Sequence, residues 1–140
     1  MELRPISPSD TELLQSLEEQ EDVWEFIGSW PLEPTLQLFA VMDGGESVGV
    51  AGLVKSQALG REDFELLCAM KSEVQTRGYA KQACQLVLAW AFDTAKLERV
   101  IACIDDGNQA ARSIASKLGM QQVAAQPPSR TVYVKYREAR

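Results

Sequence analysis

The alternation of apolar and polar residues divides the chain into short strands and amphipathic helices. A hairpin is the clearest local signal, because two apolar runs flank the tight turn Asp43-Gly44-Gly45. Apolar residues at three- and four-residue steps predict a long helix over 78–95. Strands are predicted at 2–6, 36–42, 46–55, 63–70, 99–104, 121–124 and 131–136, and further helices from Ser9, over 22–29, and from the turn at 105–108 to Leu118.

The order of these elements predicts an α/β domain built on a mixed sheet with helices on its faces. Strand 63–70, the long helix and strand 99–104 form a crossover unit, which joins parallel neighbours, whereas the preceding hairpin is antiparallel. Ser9 and Glu12 have the capping-box spacing of a helix start, and Pro5 restricts its strand to a sheet edge. With no linker or repeat in sight, we expect a single domain over 1–140.

The amino-acid composition limits which catalytic mechanisms and metal sites are possible. The 140 residues are 46% hydrophobic and 24% charged, which is typical of a globular domain. The absence of histidine excludes Ser-His-Asp and Cys-His catalysis and every His-ligated metal site. Three cysteines without a CxxC spacing indicate reduced, buried thiols, no metal, and a cytoplasmic protein. The N-terminus lacks signal-peptide regions and no apolar run is long enough to span a bilayer, so no membrane partner is expected.

The net charge of −6 argues against nucleic acid as a partner, but it hides an asymmetry. Residues 1–73 carry 15 acidic and 4 basic side chains, whereas residues 74–140 carry 5 acidic and 10 basic ones. Such a division predicts an anionic ligand on the basic side and a cationic one on the acidic side. Solvated faces with chance clustering explain the same numbers.

The segment that carries chemistry runs from Val74 to Ala80, between a buried strand and the long helix. Backbone N–H groups at a helix start point the same way, and the helix dipole adds positive potential, so this position favours an anion. Gly78 permits close approach of a ligand, Arg77 supplies a cation, and Ala80 keeps the first turn small. No Lys-Ser/Thr pair follows the glycine, which excludes a P-loop.

At these residues the sequence resembles a known family. Gln75-Thr76-Arg77-Gly78-Tyr79-Ala80 is similar to the acetyl-coenzyme A loop of the GCN5-related N-acetyltransferases (GNAT). Asn108 followed by Lys117-Leu118-Gly119-Met120 resembles the second signature of that family, at the same spacing. The resemblance covers about residues 36–136, and the most similar branch contains the ribosomal-protein N-terminal acetyltransferases.

The resemblance implies a GNAT-like acyltransferase fold, with a mixed, mostly antiparallel sheet that is splayed where acetyl-CoA binds as co-substrate. The pyrophosphate of acetyl-CoA is expected on the backbone N–H groups of Gln75, Thr76, Arg77, Gly78, Tyr79 and Ala80. Its pantetheine arm is expected to pair like a strand with Met70, Lys71 and Ser72, beside Asn108. The partner is an amine acceptor, either a small molecule or a peptide N-terminus, and a homodimer remains open.

The resemblance also assigns catalytic roles. An amine attacks the thioester directly, the N–H of Met70 stabilises the oxyanion, and Glu65 takes the proton; Glu33 and Asp63 are lesser candidates for the base. The positions where relatives carry a general acid hold Ala111 and Ala115 here. Two alternatives follow: a non-catalytic acyl-CoA-binding domain of the same fold, and an unrelated phosphate-binding α/β protein. Trp24, Phe26 and Trp30 either shape an acceptor pocket or pack on the sheet.

Overall fold

The computed structural model describes residues 1–18, 35–74 and 78–138, which form seven strands and three helices. The helix predicted over 22–29 lies outside the described residues, as do Trp24, Phe26, Trp30 and Glu33. The strands are β1 (Glu2–Pro5), β2 (Thr35–Asp43), β3 (Glu46–Ser56), β4 (Asp63–Met70), β5 (Arg99–Asp105), β6 (Gln121–Gln126) and β7 (Arg130–Tyr136). The helices are α1 (Thr11–Glu18), α2 (Tyr79–Asp93) and α3 (Gln109–Lys117).

The strands form one sheet in the order β1-β2-β3-β4-β5-β7-β6. Every neighbouring pair is antiparallel except β4 and β5, which are parallel and are joined by the crossover through α2. The prediction of a mixed, mostly antiparallel sheet is therefore confirmed. Pro5 lies on the edge strand β1, where its missing N–H leaves no ladder bond unmade.

Helices cover both faces of the sheet, as predicted. Leu66, Cys68 and Met70 of β4 join the core cluster that α2 and α3 bury, while Leu67 and Ala69 join the cluster under α1. Because both faces of β4 are buried, its sequence is apolar almost throughout instead of alternating. Below, the two sides of the sheet are called the α2 face and the α1 face.

The first helical segment begins two residues earlier than the sequence pattern indicated. Ser7 caps a short 3-10 helix at Pro8–Asp10 that leads into α1, and the Ser7 N–H donates to the Asp10 carboxylate at 2.8 Å. The predicted capping box of Ser9 and Glu12 is thus wrong. Both pairs have the right spacing, but Pro8 has the fixed φ and missing N–H that suit the first helical position.

Candidate active site

A wedge opens between the parallel strands β4 and β5. Their register holds one pair, Glu65 opposite Ile101, although β3 and β4 pair over eight positions from Gly49–Met70 to Ser56–Asp63. Within the described residues of β4, none of the five that follow Glu65 has a partner on β5. The two strands therefore separate toward their carboxyl ends, which is the edge of an α/β sheet where ligands bind.

At the end of β4, the backbone N–H of Met70 faces the wedge, whereas that of Lys71 faces β3. Lys71 points its N–H toward β3, where it donates to Val48 at 2.9 Å, and its carbonyl accepts from Val74 at 3.1 Å. Since successive peptide groups of a strand point to opposite neighbours, the Met70 N–H is directed toward the β5 side. The Met70 side chain is 1% exposed and belongs to the core.

The engaged backbone of Lys71 changes the expectation for residues 70–72. A strand-like ligand needs outward-facing N–H and carbonyl groups, and those of Lys71 are turned into the fold. Ser72 begins a second short 3-10 helix at Ser72–Val74, so regular strand geometry has ended there. These hydrogen bonds argue against a backbone pairing of the ligand with Lys71, and Met70 is the residue of the three whose strand geometry suits the role.

Helix α2 starts at the mouth of the wedge with an open position. Gly78 caps the helix with a left-handed backbone (φ +77°), and a Cβ built on it meets no atom of the described residues within 4 Å. This geometry fits a bulky anion, because the first N–H groups of a helix lack intrahelical partners and Gly78 places no side chain beside them. Gln75, Thr76 and Arg77, which were expected to complete the site, lie outside the described residues.

The first two residues of α2 face inward. Ala80 is 1% exposed and its methyl group packs in the core, so the group by which it is expected to bind a ligand is its N–H. The Tyr79 ring packs against the same core cluster, and its hydroxyl donates to the Asp43 carboxylate at the turn between β2 and β3.

Asn108 sits on the β5 side of the wedge as the N-cap of α3. Its side-chain oxygen accepts from the Ala111 N–H at 3.0 Å, which explains the residue type at this position without a ligand. Ala111 and Ala115 are both buried in the core under α3. Consequently the two positions where the family resemblance implied a general acid supply none here.

Glu65 is a buried carboxylate at the point where the wedge begins. It is 4% exposed, so this charged side chain does not face solvent. On the α1 face it neighbours Cys103 of β5: burial, followed by the adjacent Glu65 carboxylate, raises the pKa of the Cys103 thiol to about 12. Cys103 is thus a neutral neighbour of Glu65, and sequence analysis missed it because the β4–β5 register was unknown.

A second buried carboxylate closes the narrow end of the wedge. Asp63 accepts two hydrogen bonds from the Arg99 guanidinium, at 2.8 and 2.7 Å, which links the first residue of β4 to the first residue of β5. The Asp63 side chain is 2% exposed and that of Arg99 13%. Both oxygens of the Asp63 carboxylate are occupied by the Arg99 guanidinium, so the structure argues against Asp63 as an alternative to Glu65.

Among the helices of the described residues, none is long and apolar enough to cross a membrane. Likewise, the described part of the chain brings no three His, Cys, Asp or Glu side chains together in a metal-binding arrangement.

Comparison with known proteins identifies the family. The model of the acetyltransferase (GNAT) domain matches residues 1–121. The chain therefore belongs to the GNAT acetyltransferase family, as the two sequence signatures predicted. A curated relative, the uncharacterized protein YkkB of Bacillus subtilis (strain 168), is 30% identical over 76 residues. That alignment covers 54% of this chain and 44% of YkkB, less than half of that relative's length.

Solved structures share the fold. A GNAT-family acetyltransferase from Bacillus anthracis is 20% identical with a TM-score of 0.75, over 98% of this chain and 95% of that one. The F149G mutant of the spermidine N-acetyltransferase SpeG from Vibrio cholerae is 15% identical with a TM-score of 0.79, over 97% and 93%. An acetyltransferase from Thermus thermophilus is 22% identical with a TM-score of 0.71, over 96% of both chains. At these identities the likeness establishes the GNAT-like fold.

Proposed function

We propose that this protein is an acetyl-CoA-dependent N-acetyltransferase that acetylates a primary amine. The observation that carries the proposal is the wedge between β4 and β5, with the open N-terminus of α2 at its mouth. Membership of the GNAT family supports it. In this reading acetyl-CoA supplies the activated acetyl group as a thioester, and the chain supplies the binding surface and the groups that handle charge and protons.

Each part of the wedge has a proposed task. The N–H groups from Gln75 to Ala80 hold the pyrophosphate, and the wedge beside Met70 and Asn108 admits the pantetheine arm. The Met70 N–H stabilises the negative charge that develops on the thioester oxygen. Holding the acetyl carbon and the amine in contact supplies much of the acceleration. The basic excess of residues 74–140 suits a ligand with several phosphate charges.

Glu65 is the proposed general base. The incoming ammonium loses a proton to Glu65, directly or through water, and the neutral nitrogen then bonds to the acetyl carbon while the C–S bond breaks and coenzyme A leaves as a thiolate. The nitrogen releases its second proton to that thiolate or to water, which leaves the neutral amide. Its burial supports this role, because an unneeded charge in a sheet interior is costly. Because Ala111 and Ala115 carry no ionisable group, the proposed reaction uses no dedicated acid on α3.

The acceptor class is a small cationic amine or a protein N-terminus. The acidic excess of residues 1–73 supports a cationic acceptor. The SpeG structures from Vibrio cholerae are spermidine N-acetyltransferases, and one of them is a dodecamer, so spermidine belongs among the amines to test and self-association among the states to measure.

The test is release of free thiol from acetyl-CoA in the presence of spermidine, lysine, other amines and peptides with free N-termini. The proposal predicts thiol release with at least one amine, and a lower rate for Glu65→Gln that falls most at low pH, where the acceptor is most protonated. Glu62→Gln, an exposed neighbour, is the matched control. A Glu65→Gln profile parallel to that of the wild type would remove Glu65 from the mechanism.

A second candidate follows from one observation, the two buried alanines on α3. Without a hydroxyl at either position, the domain is also suited to bind acyl-CoA without transferring the acyl group. The same assay separates the two: binding of acetyl-CoA with no thiol release on any amine favours the binding domain. Equal affinity for ADP and coenzyme A would instead indicate an unrelated phosphate site.

A further inference from the structure

A polar contact outside the wedge reaches the first residue of α2. The Tyr79 hydroxyl donates to the Asp43 carboxylate, 36 positions away in the chain, and the contact is partly buried. Asp43 ends β2 at the tight turn to β3, and Tyr79 directly follows Gly78. The hairpin turn is thus tied to the residue beside the proposed pyrophosphate position.

The hydrogen bond to Asp43 adds a directional contact to the packing of the Tyr79 ring. The Tyr79 ring already contacts the core cluster, which is enough to bury its carbons. A hydroxyl bonded to a charged carboxylate adds a directional contact, and such bonds are shorter and stronger than those between neutral groups. The ring fixes where Tyr79 lies, and Asp43 fixes how its far end is held.

The position of this contact matters because Gly78 provides no anchoring of its own. It has no side chain and a left-handed backbone, and no atom of the described part of the chain lies within 4 Å of a Cβ built on it. Backbone N–H groups bind an anion well only when they are held in one direction before the ligand arrives. The nearest side chain on α2 that can hold them is therefore Tyr79, through Asp43.

We propose that Asp43 is a positioning residue for the co-substrate: through Tyr79 it holds the start of α2, and with it the N–H groups of Gly78, Tyr79 and Ala80, in the geometry that binds the pyrophosphate. The inference rests on the proposed function. It assigns the β2–β3 hairpin turn a part in acetyl-CoA affinity. The acetyl acceptor and the transfer step are unaffected by it.

The negative charge of Asp43 allows anchoring to be distinguished from electrostatic repulsion of acetyl-CoA. Removing an acidic side chain near a polyanionic ligand strengthens binding by simple electrostatics. Asp43→Ala removes such a charge, yet the proposal predicts weaker binding, because the tie to Tyr79 is lost. Glu46→Gln removes an equal charge from the residue paired with Asp43 across the same turn, where the side chain is exposed. The two variants therefore separate anchoring from charge.

The experiment measures acetyl-CoA affinity by calorimetry, and KM and kcat by thiol release, for the full chain. We expect Asp43→Ala and Tyr79→Phe each to raise Kd and KM by about five- to tenfold, with kcat at saturation changed less than about twofold. Asp43→Asn keeps an oxygen acceptor and is expected to restore part of the affinity. The double variant Asp43→Ala/Tyr79→Phe is expected to be no weaker than either single one.

The outcomes are distinguishable. If the wild type does not bind acetyl-CoA, the proposed function fails and the inference with it. If the wild type binds and folded Asp43→Ala binds equally well or more tightly, as Glu46→Gln is expected to, the proposed function stands and the inference is overturned. A thermal-shift measurement without ligand identifies variants that are unfolded. Additive losses in the double variant would also overturn the inference, because the two residues would then act separately.

Discussion

Breaking the ion pair between Asp63 and Arg99 is expected to destabilise the protein far more than breaking an exposed pair beside it. The Arg99 side chain is 13% exposed, and its guanidinium donates two hydrogen bonds to the Asp63 carboxylate. Asp63→Asn removes that carboxylate and leaves the positive charge of Arg99 without its partner. Removing one partner of a buried pair costs about 3–5 kcal/mol, and partial access of Arg99 to solvent favours the lower end, about 3 kcal/mol. For a domain of this size that lowers Tm by about 10 °C.

The chain supplies a control one residue away. Glu62 and Lys55 form an ion pair at 3.7 Å in which the two side chains are 58% and 45% exposed. Glu62→Gln is expected to cost less than about 0.5 kcal/mol, because solvent screens exposed pairs. Urea denaturation of both variants, with calorimetric Tm values, gives the comparison.

A double-mutant cycle completes this test. Adding Arg99→Met to Asp63→Asn removes the unpaired charge, so the double variant should be less unstable than the sum of the single variants, with a coupling of about 2 kcal/mol. Additive effects, or an Asp63→Asn variant as stable as Glu62→Gln, would show that the pair does not hold β4 to β5. The closed end of the wedge would then need another explanation.

Three smaller predictions concern single residues. Hydrogen bonds from Arg4 and the Ser7 backbone lower the pKa of Asp10 from 3.8 to about 2. The contribution of Asp10 to folding stability is therefore complete above about pH 4 and is lost as pH falls toward 2. Urea titrations should show this loss in the wild type and not in Asp10→Asn. Burial raises the pKa of Cys103, so iodoacetamide at pH 8 should label it only upon unfolding, and labelling as fast as a free thiol would contradict this. Asn108→Ala should cost about 1 kcal/mol in denaturation and Asn108→Asp much less, since Asp also caps helices.

Local patterns predicted most of the fold. The turn Asp43-Gly44-Gly45 and its flanking apolar runs indicated the β2–β3 hairpin, and the pairing of Asp43 with Glu46 confirms it. The helical periodicity predicted α2, and the crossover rule predicted the parallel pairing of β4 and β5. These features depend on residues near one another in sequence, or on a chain-topology rule that holds for nearly all proteins.

Local patterns of the sequence left other features of the structure undecided. Two capping boxes overlap between Ser7 and Glu12, and only the proline geometry separates them. The direction of the Lys71 N–H depends on the register of β4 against β3. In the same way, contacts such as Asp63 with Arg99 and Tyr79 with Asp43 join residues 36 positions apart. In the sequence, the signal that could have indicated the Asp63–Arg99 ion pair is their opposite charges at the first residues of two strands predicted to be parallel.

Calorimetry on two Gly78 variants shows whether the start of α2 binds the pyrophosphate of acetyl-CoA. Gly78→Ala meets no atom of residues 1–18, 35–74 or 78–138 and adds backbone strain of about 1–2 kcal/mol, so it should fold and still bind. Gly78→Glu places a negative charge in the space left for the phosphates. We predict that acetyl-CoA binds the wild type and Gly78→Ala but not Gly78→Glu; equal affinity of Gly78→Glu and Gly78→Ala would contradict the account.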